Sequence, residues 1–245
     1  MNHTQYDSGN SGVLEEFTRT AHVPILGNGN SLIADWTMPA NARGVVLFAH
    51  GSGSGRQSSR NRAVARYLVS RSIGTFLMDL LSIEEERIDN VTRHLRFDIP
   101  LLAKRLELAT HWIRSQPESR DLPLGYFGAS TGAAAALVAA AKLQDEISAV
   151  VSRGGRPDLA GSALADVTAP TLLIVGGRDP EVEDLNRQAL ARLTCNRKLS
   201  IVPGATHLFE ESGTLDQVQL LAANWFLKQF PVPEPITMNK GGDFR

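Results

Sequence analysis

The chain has 245 residues, 42% of them hydrophobic, with 25 Lys and Arg against 26 Asp and Glu. A net charge of −1 with no concentrated basic run argues against a nucleic-acid partner, and that length suits one sizeable α/β domain. The single cysteine, Cys195, rules out an internal disulfide or a cysteine-rich metal centre.

The start, residues 1–14, is rich in Gly, Ser and Asn and lacks the basic-then-apolar pattern of a secretory leader. It reads as a flexible segment, as does the Pro- and Gly-bearing tail 231–245, leaving one domain over 15–230. No run reaches the ~18 apolar residues of a membrane helix, so a soluble, cytoplasmic protein is expected, monomeric or homodimeric.

Within the domain, 17–25 and 31–38 have strand character and flank the turn signal "GNGN", which predicts an antiparallel hairpin. From Gly44 the pattern changes. Short, wholly apolar runs at 44–50, 74–80, 122–128, 147–152, 170–177 and 198–204 alternate with helical stretches near 58–71, 98–115, 132–143, 181–193 and 214–229. Apolar on both faces, such runs suit buried parallel strands, so the pattern predicts a sheet of about eight strands with helices on both sides. Ligands of such sheets gather at the carboxyl ends of the strands.

After "LPLGYF" comes "GASTG", 128–132, followed by an alanine-rich helical stretch. This is G-x-S-x-G in the strand, tight turn and helix context that holds a serine hydroxyl exposed, so Ser130 is the candidate nucleophile. A serine hydroxyl needs a base and a group that orients the base. His207, in "PGATHLFEE", is the only histidine after Ser130. Asp179, in "IVGGRDPEV", follows a strand candidate and is the preferred acid, with Asp158 its rival; Glu181 and Asp184 read as the start of the next helix.

"FAHGSGSG" follows the third strand candidate and lacks the lysine and spacing of a nucleotide-binding loop. Its expected role is to offer the Ser52 N–H, beside that of Thr131, to a substrate oxyanion, with Gly53 near the substrate and His50 structural. Arg56, Arg153 and Arg156 are candidate contacts for an anionic substrate group, or else partners of nearby carboxylates. The glutamates of 82–90 read as a solvated helix start and Asp98 as a helix cap; neither a metal nor a cofactor is expected.

Together, "FAHGSGSG", "GYFGASTGAAAAL", "LLIVGGRDPEV" and "VPGATHLFEE" resemble the dienelactone hydrolase-like branch of the α/β-hydrolases, over about residues 17–230. The resemblance implies a triad in the order Ser130, Asp179, His207 and cleavage of a small ester or lactone through an acyl-enzyme. Dienelactone hydrolase itself has a cysteine nucleophile where this chain has Ser130, so the implied chemistry is ester cleavage without the dienelactone substrate. Similar serine domains occur fused to phosphoribosyltransferases in some bacteria. Only about 17 residues, 153–169, lie where many hydrolases insert a lid, which predicts an open site without a substantial cap. A thioesterase or acyltransferase on the same triad, and a non-catalytic binding protein of this fold, are the alternatives.

Overall fold

A computed structural model describes residues 16–25, 27 and 29–231. The two expected flexible segments, 1–14 and 231–245, lie outside the described residues except for Pro231.

Eight strands, β1 (Phe17–Pro24), β2 (Ser31–Met38), β3 (Val45–Ala49), β4 (Gly74–Met78), β5 (Leu124–Ala129), β6 (Ile147–Arg153), β7 (Thr171–Gly176) and β8 (Arg197–Val202), form one sheet. Their spatial order is β1-β2-β4-β3-β5-β6-β7-β8. The predicted hairpin is present, with β1 antiparallel to β2, and β2 pairs antiparallel with β4; the remaining neighbours are parallel.

The continuous apolar runs have the predicted meaning. In β3, Val45, Leu47 and Ala49 enter one core layer while Val46 and Phe48 enter the other, because successive side chains point to opposite faces. The first layer holds α3 (Ile99–Ser115) and α4 (Thr131–Leu143); the second holds α1 (Ser59–Val69) and α6 (Thr214–Gln229). α4 is buried along most of its length, and its alanines are small enough for the helix axis to lie close to the sheet. Under the hairpin, Trp36 meets Phe17, Phe76 and Trp112 edge to face at centroid distances of 5.0, 6.1 and 5.5 Å. Arg43 donates to the carbonyls of Leu227 and Phe230, satisfying acceptors that the end of α6 leaves unpaired.

α2 (Ile83–Thr92) realises the glutamate-rich helix start: Ser82 and Glu85 form a reciprocal capping box. Asp98 caps α3, accepting the Leu101 N–H at 3.0 Å. α5 (Pro180–Arg192) opens with Glu181 and Glu183 in its first turn. Between β6 and β7 the chain makes only short 3₁₀ turns, Pro157–Asp166, broken at Gly161, where φ is 57°. The described residues carry no lid over the strand ends at that point.

β4 ends two residues earlier than its apolar run, 74–80, predicts. Asp79, within that run, lies beyond the end of β4 at Met78 and so belongs to the carboxyl-end loops, where ligands of such sheets bind.

Candidate active site

Ser130 joins β5 to α4 with φ 49° and ψ −124°, a conformation that costs an L-residue about 1–3 kcal/mol and persists only where surroundings impose it. The surroundings are tight. A Cβ on Gly132 would stand on the carbonyl oxygens of Ala49 and His50, so only glycine lets the helix start this close to the end of β3. Ser130 is the N-cap of α4, yet its side chain makes no capping bond, so the hydroxyl is not consumed by the helix.

His207 lies in the loop after β8 and Asp179 at the start of α5. His207 Nδ1–H donates to Asp179 Oδ2 at 2.7 Å, which leaves Nε2 as the ring's acceptor. The rival carboxylate is committed elsewhere: Asp158 receives both Nε and Nη2 of Arg156, at 2.9 and 2.8 Å. Serine and histidine border the same strand end. Ser130 N–H donates to Arg153 O, Ser130 O accepts the Arg156 N–H, and a Cβ on the intervening Gly154 would lie 3.0 Å from His207 O and 3.7 Å from its Cε1.

The loop after β3 packs against this elbow. A Cβ on Gly51 would be 3.0 Å from Ser130 Cβ and 3.7 Å from its Oγ. His50 fixes the loop from behind, its Nδ1–H donating to Gly51 O at 2.9 Å and its Nε2 accepting the Leu80 N–H at 3.1 Å. Burial lowers its pKa against the opposing pull of Gly51 O, Asp79 and Glu86, so the ring stays neutral, as that hydrogen-bond pair requires. The Ser52 N–H points to Thr131, donating to its Oγ1 at 3.0 Å.

The three arginines do not converge. Arg56 lies 3.6 Å from both Asp35 and Asp79, and Arg156 is held by Asp158. Arg153, at the end of β6, is 6% exposed; it donates to Asn61 Oδ1 at 3.2 Å and faces the Phe209 ring at 5.9 Å, with no carboxylate partner among the described residues. Burial, and then the nearby Arg60 charge, push its pKa down to about 10. Arg153 lies beneath the histidine loop and Arg156 beyond the turn at Gly154, although only two residues separate them in sequence.

A cavity of about 480 Å³ opens beside Gly51–Gln57, closed on its other sides by Asp79–Leu81, Glu86, Asp89, Arg96 and Leu102. Gly53 and Arg56 line it, whereas Arg153, Arg156, Ser130, Asp179 and His207 do not. Asp89, 1% exposed, accepts from Arg96 Nε and from the N–H groups of Leu95 and Arg96, and Arg96 Nη1 approaches Gly53. Burial alone would raise the Asp89 pKa, but the Arg96 hydrogen bonds and charge, with the Leu95 N–H, outweigh it and hold the carboxyl below its ordinary range. Neither Asp79 nor the Asp89–Arg96 pair was singled out from the sequence. The signal for Asp79 was its place just beyond β4; for the pair there was none, since it joins a surface helix to a turn. No group of three or more His, Cys, Asp or Glu among the described residues is arranged to hold a metal ion, and none of their helices is long and apolar enough to cross a membrane.

Residues 42–224 match the family described as alpha/beta hydrolase domain. The chain belongs to the α/β-hydrolases. It is 52% identical to a dienelactone hydrolase from Anabaena variabilis whose crystal structure superimposes with a TM-score of 0.86, covering 88% of this chain and 99% of that one. This places it in the dienelactone hydrolase-like branch of the family. A second solved structure, a dienelactone hydrolase-like promiscuous phosphotriesterase from metagenomic libraries, shares the fold at 16% identity and a TM-score of 0.72, over 88% of this chain and 99% of that one. Two Mycobacterium tuberculosis proteins, one from each of two strains, are 53% identical over 217 residues and carry the provisional name phosphoribosyl transferase. The match takes in 89% of this chain and 48% of theirs, so this α/β-hydrolase spans about half the length of those relatives.

Proposed function

We propose that this α/β-hydrolase cleaves small carboxylic esters or lactones through an acyl-enzyme on Ser130. The observation that carries the reading is the 2.7 Å hydrogen bond from His207 Nδ1–H to Asp179, which turns Nε2 into a base at the strand end where the strained Ser130 stands. His207 takes the Ser130 proton as Oγ attacks the ester carbonyl, and Asp179 stabilises the imidazolium. The oxyanion is held where the loop after β3 meets the start of α4, with the N–H of Thr131 as a donor. The imidazolium returns the proton to the leaving alcohol. His207 then activates water, which attacks the acyl carbonyl and releases the acid. Without a helical lid among the described residues, small substrates suit the site better than long lipid chains. A cytoplasmic location and a monomeric or homodimeric state complete the proposal.

Turnover of p-nitrophenyl esters of graded chain length, with labelling by a fluorophosphonate, tests it. Ser130→Ala and His207→Ala are expected to lower kcat about 10⁴- to 10⁶-fold, and Asp179→Asn about 10⁴-fold, with the fold retained. Ser130→Ala should also abolish labelling; near-native rates in any of the three would assign the chemistry to other residues.

A further inference from the structure

The Ser52 N–H, expected from the sequence to serve the oxyanion, already has an acceptor. Ser52 N–H donates to Thr131 Oγ1 at 3.0 Å, and Thr131 is 5% exposed. Thr131 is also the first residue of α4, so its own N–H lacks an intrahelical acceptor and is free to meet a substrate oxygen. The hydroxyl behaves differently from the N–H: having accepted from Ser52, it keeps its hydrogen for donation, and no residue among those described takes it.

Two outcomes are open to that hydroxyl when negative charge develops beside Ser130. It can be displaced, so that Ser52 N–H turns to the oxyanion and a buried Oγ1 loses its partner. Alternatively it stays, and only its hydrogen rotates. The second keeps Oγ1 satisfied and strengthens the O–H as a donor because it is itself accepting a hydrogen bond. A donor held in place before the charge appears is what stabilises an oxyanion well. Resting on the acyl-enzyme reading above, we infer that Thr131 is a catalytic residue that gives the oxyanion two hydrogen bonds, one from its N–H and one from its side-chain O–H, with Ser52 N–H polarising that hydroxyl from behind. No proton is transferred; the hydrogen remains on Oγ1 throughout.

Thr131→Val keeps the shape and removes the hydroxyl, Thr131→Ser keeps the hydroxyl, and Thr131→Ala is a second hydroxyl-free variant should valine disturb folding, which thermal melting would show. With p-nitrophenyl acetate, Val and Ala are expected to lower kcat about 100-fold at nearly unchanged KM, while Ser stays within about fivefold of the parent. Inhibition by a methyl trifluoromethyl ketone, which adds the serine to form a charged hemiketal, should weaken in Val and Ala by a factor similar to the fall in kcat. A Val variant as fast as the parent or faster would overturn the inference, because the hydroxyl would then only compete for Ser52 N–H. So would a Ser variant as slow as Val, which marks a packing effect, or a kcat loss without weaker ketone binding. Fluorophosphonate labelling separates the levels. If the parent labels at Ser130 while Val keeps full activity, only the role of the hydroxyl falls; if the parent is inert and unlabelled, the acyl-enzyme reading falls and takes the hydroxyl with it.

Discussion

Ser130 occupies a backbone region that glycine enters at little cost and serine does not. That strain gives a signature independent of turnover. Both Ser130→Gly and Ser130→Ala remove the hydroxyl, but only glycine relieves the backbone, so Ser130→Gly should melt about 3 °C above Ser130→Ala. Equal melting temperatures would mean that the elbow is relaxed by its surroundings. At this scale the sequence was most informative where a residue's environment is set by its chain neighbours. Ser130, Asp179 and His207 each follow a strand, and the fold brings strand ends together without further instruction. It was less informative for Arg56, Arg153 and Arg156, because three loop positions in a row of strand ends do not say which way a long side chain turns. Asp158 takes Arg156, Asp35 and Asp79 border Arg56, and Arg153 turns into the layer beneath.

Among the elements, the pairing of α2 with the turn after it shapes the cavity wall. Asp89 on α2 reaches forward to the N–H groups of Leu95 and Arg96 and to the Arg96 guanidinium, so one carboxylate holds helix, turn and cavity-lining arginine together. Its pKa in the folded chain lies below the ordinary 3.8, so folding favours the ionised form. The resulting stability is fully present at neutral pH and is lost as pH falls below about 4, through the folded-state value. Asp89→Asn should therefore lower Tm at pH 7 by roughly 5 °C, while the gap from the parent narrows in melts taken between pH 4 and pH 2. A gap that stays constant with pH would mean that Asp89 acts by shape alone. Periodicity could not reveal this arrangement. "SIEEERIDN" presents mostly charged residues and reads as a solvated surface helix, and its two buried members, Ser82 and Asp89, are both polar.

For the molecule as a whole, the alternation of apolar runs and helical stretches was enough to read a parallel sheet, because strands covered on both faces must be apolar throughout. The spatial order of the strands was not readable from periodicity, which carries no information on who pairs with whom. That order distributes the proposed triad unevenly. Ser130 follows β5, an interior strand flanked by β3 and β6, whereas Asp179 and His207 follow β7 and β8, and β8 forms one margin of the sheet. Marginal strands open at lower free energy than interior ones. Hydrolysis and far-UV circular dichroism followed together through a urea titration should consequently give separate midpoints, with hydrolysis failing first; superimposed curves would show that β7 and β8 open only with the rest. The sheet order thus makes the outer margin a point of early inactivation: the enzyme would fall silent while most of its architecture still stands, and recover its activity as soon as one strand re-zips.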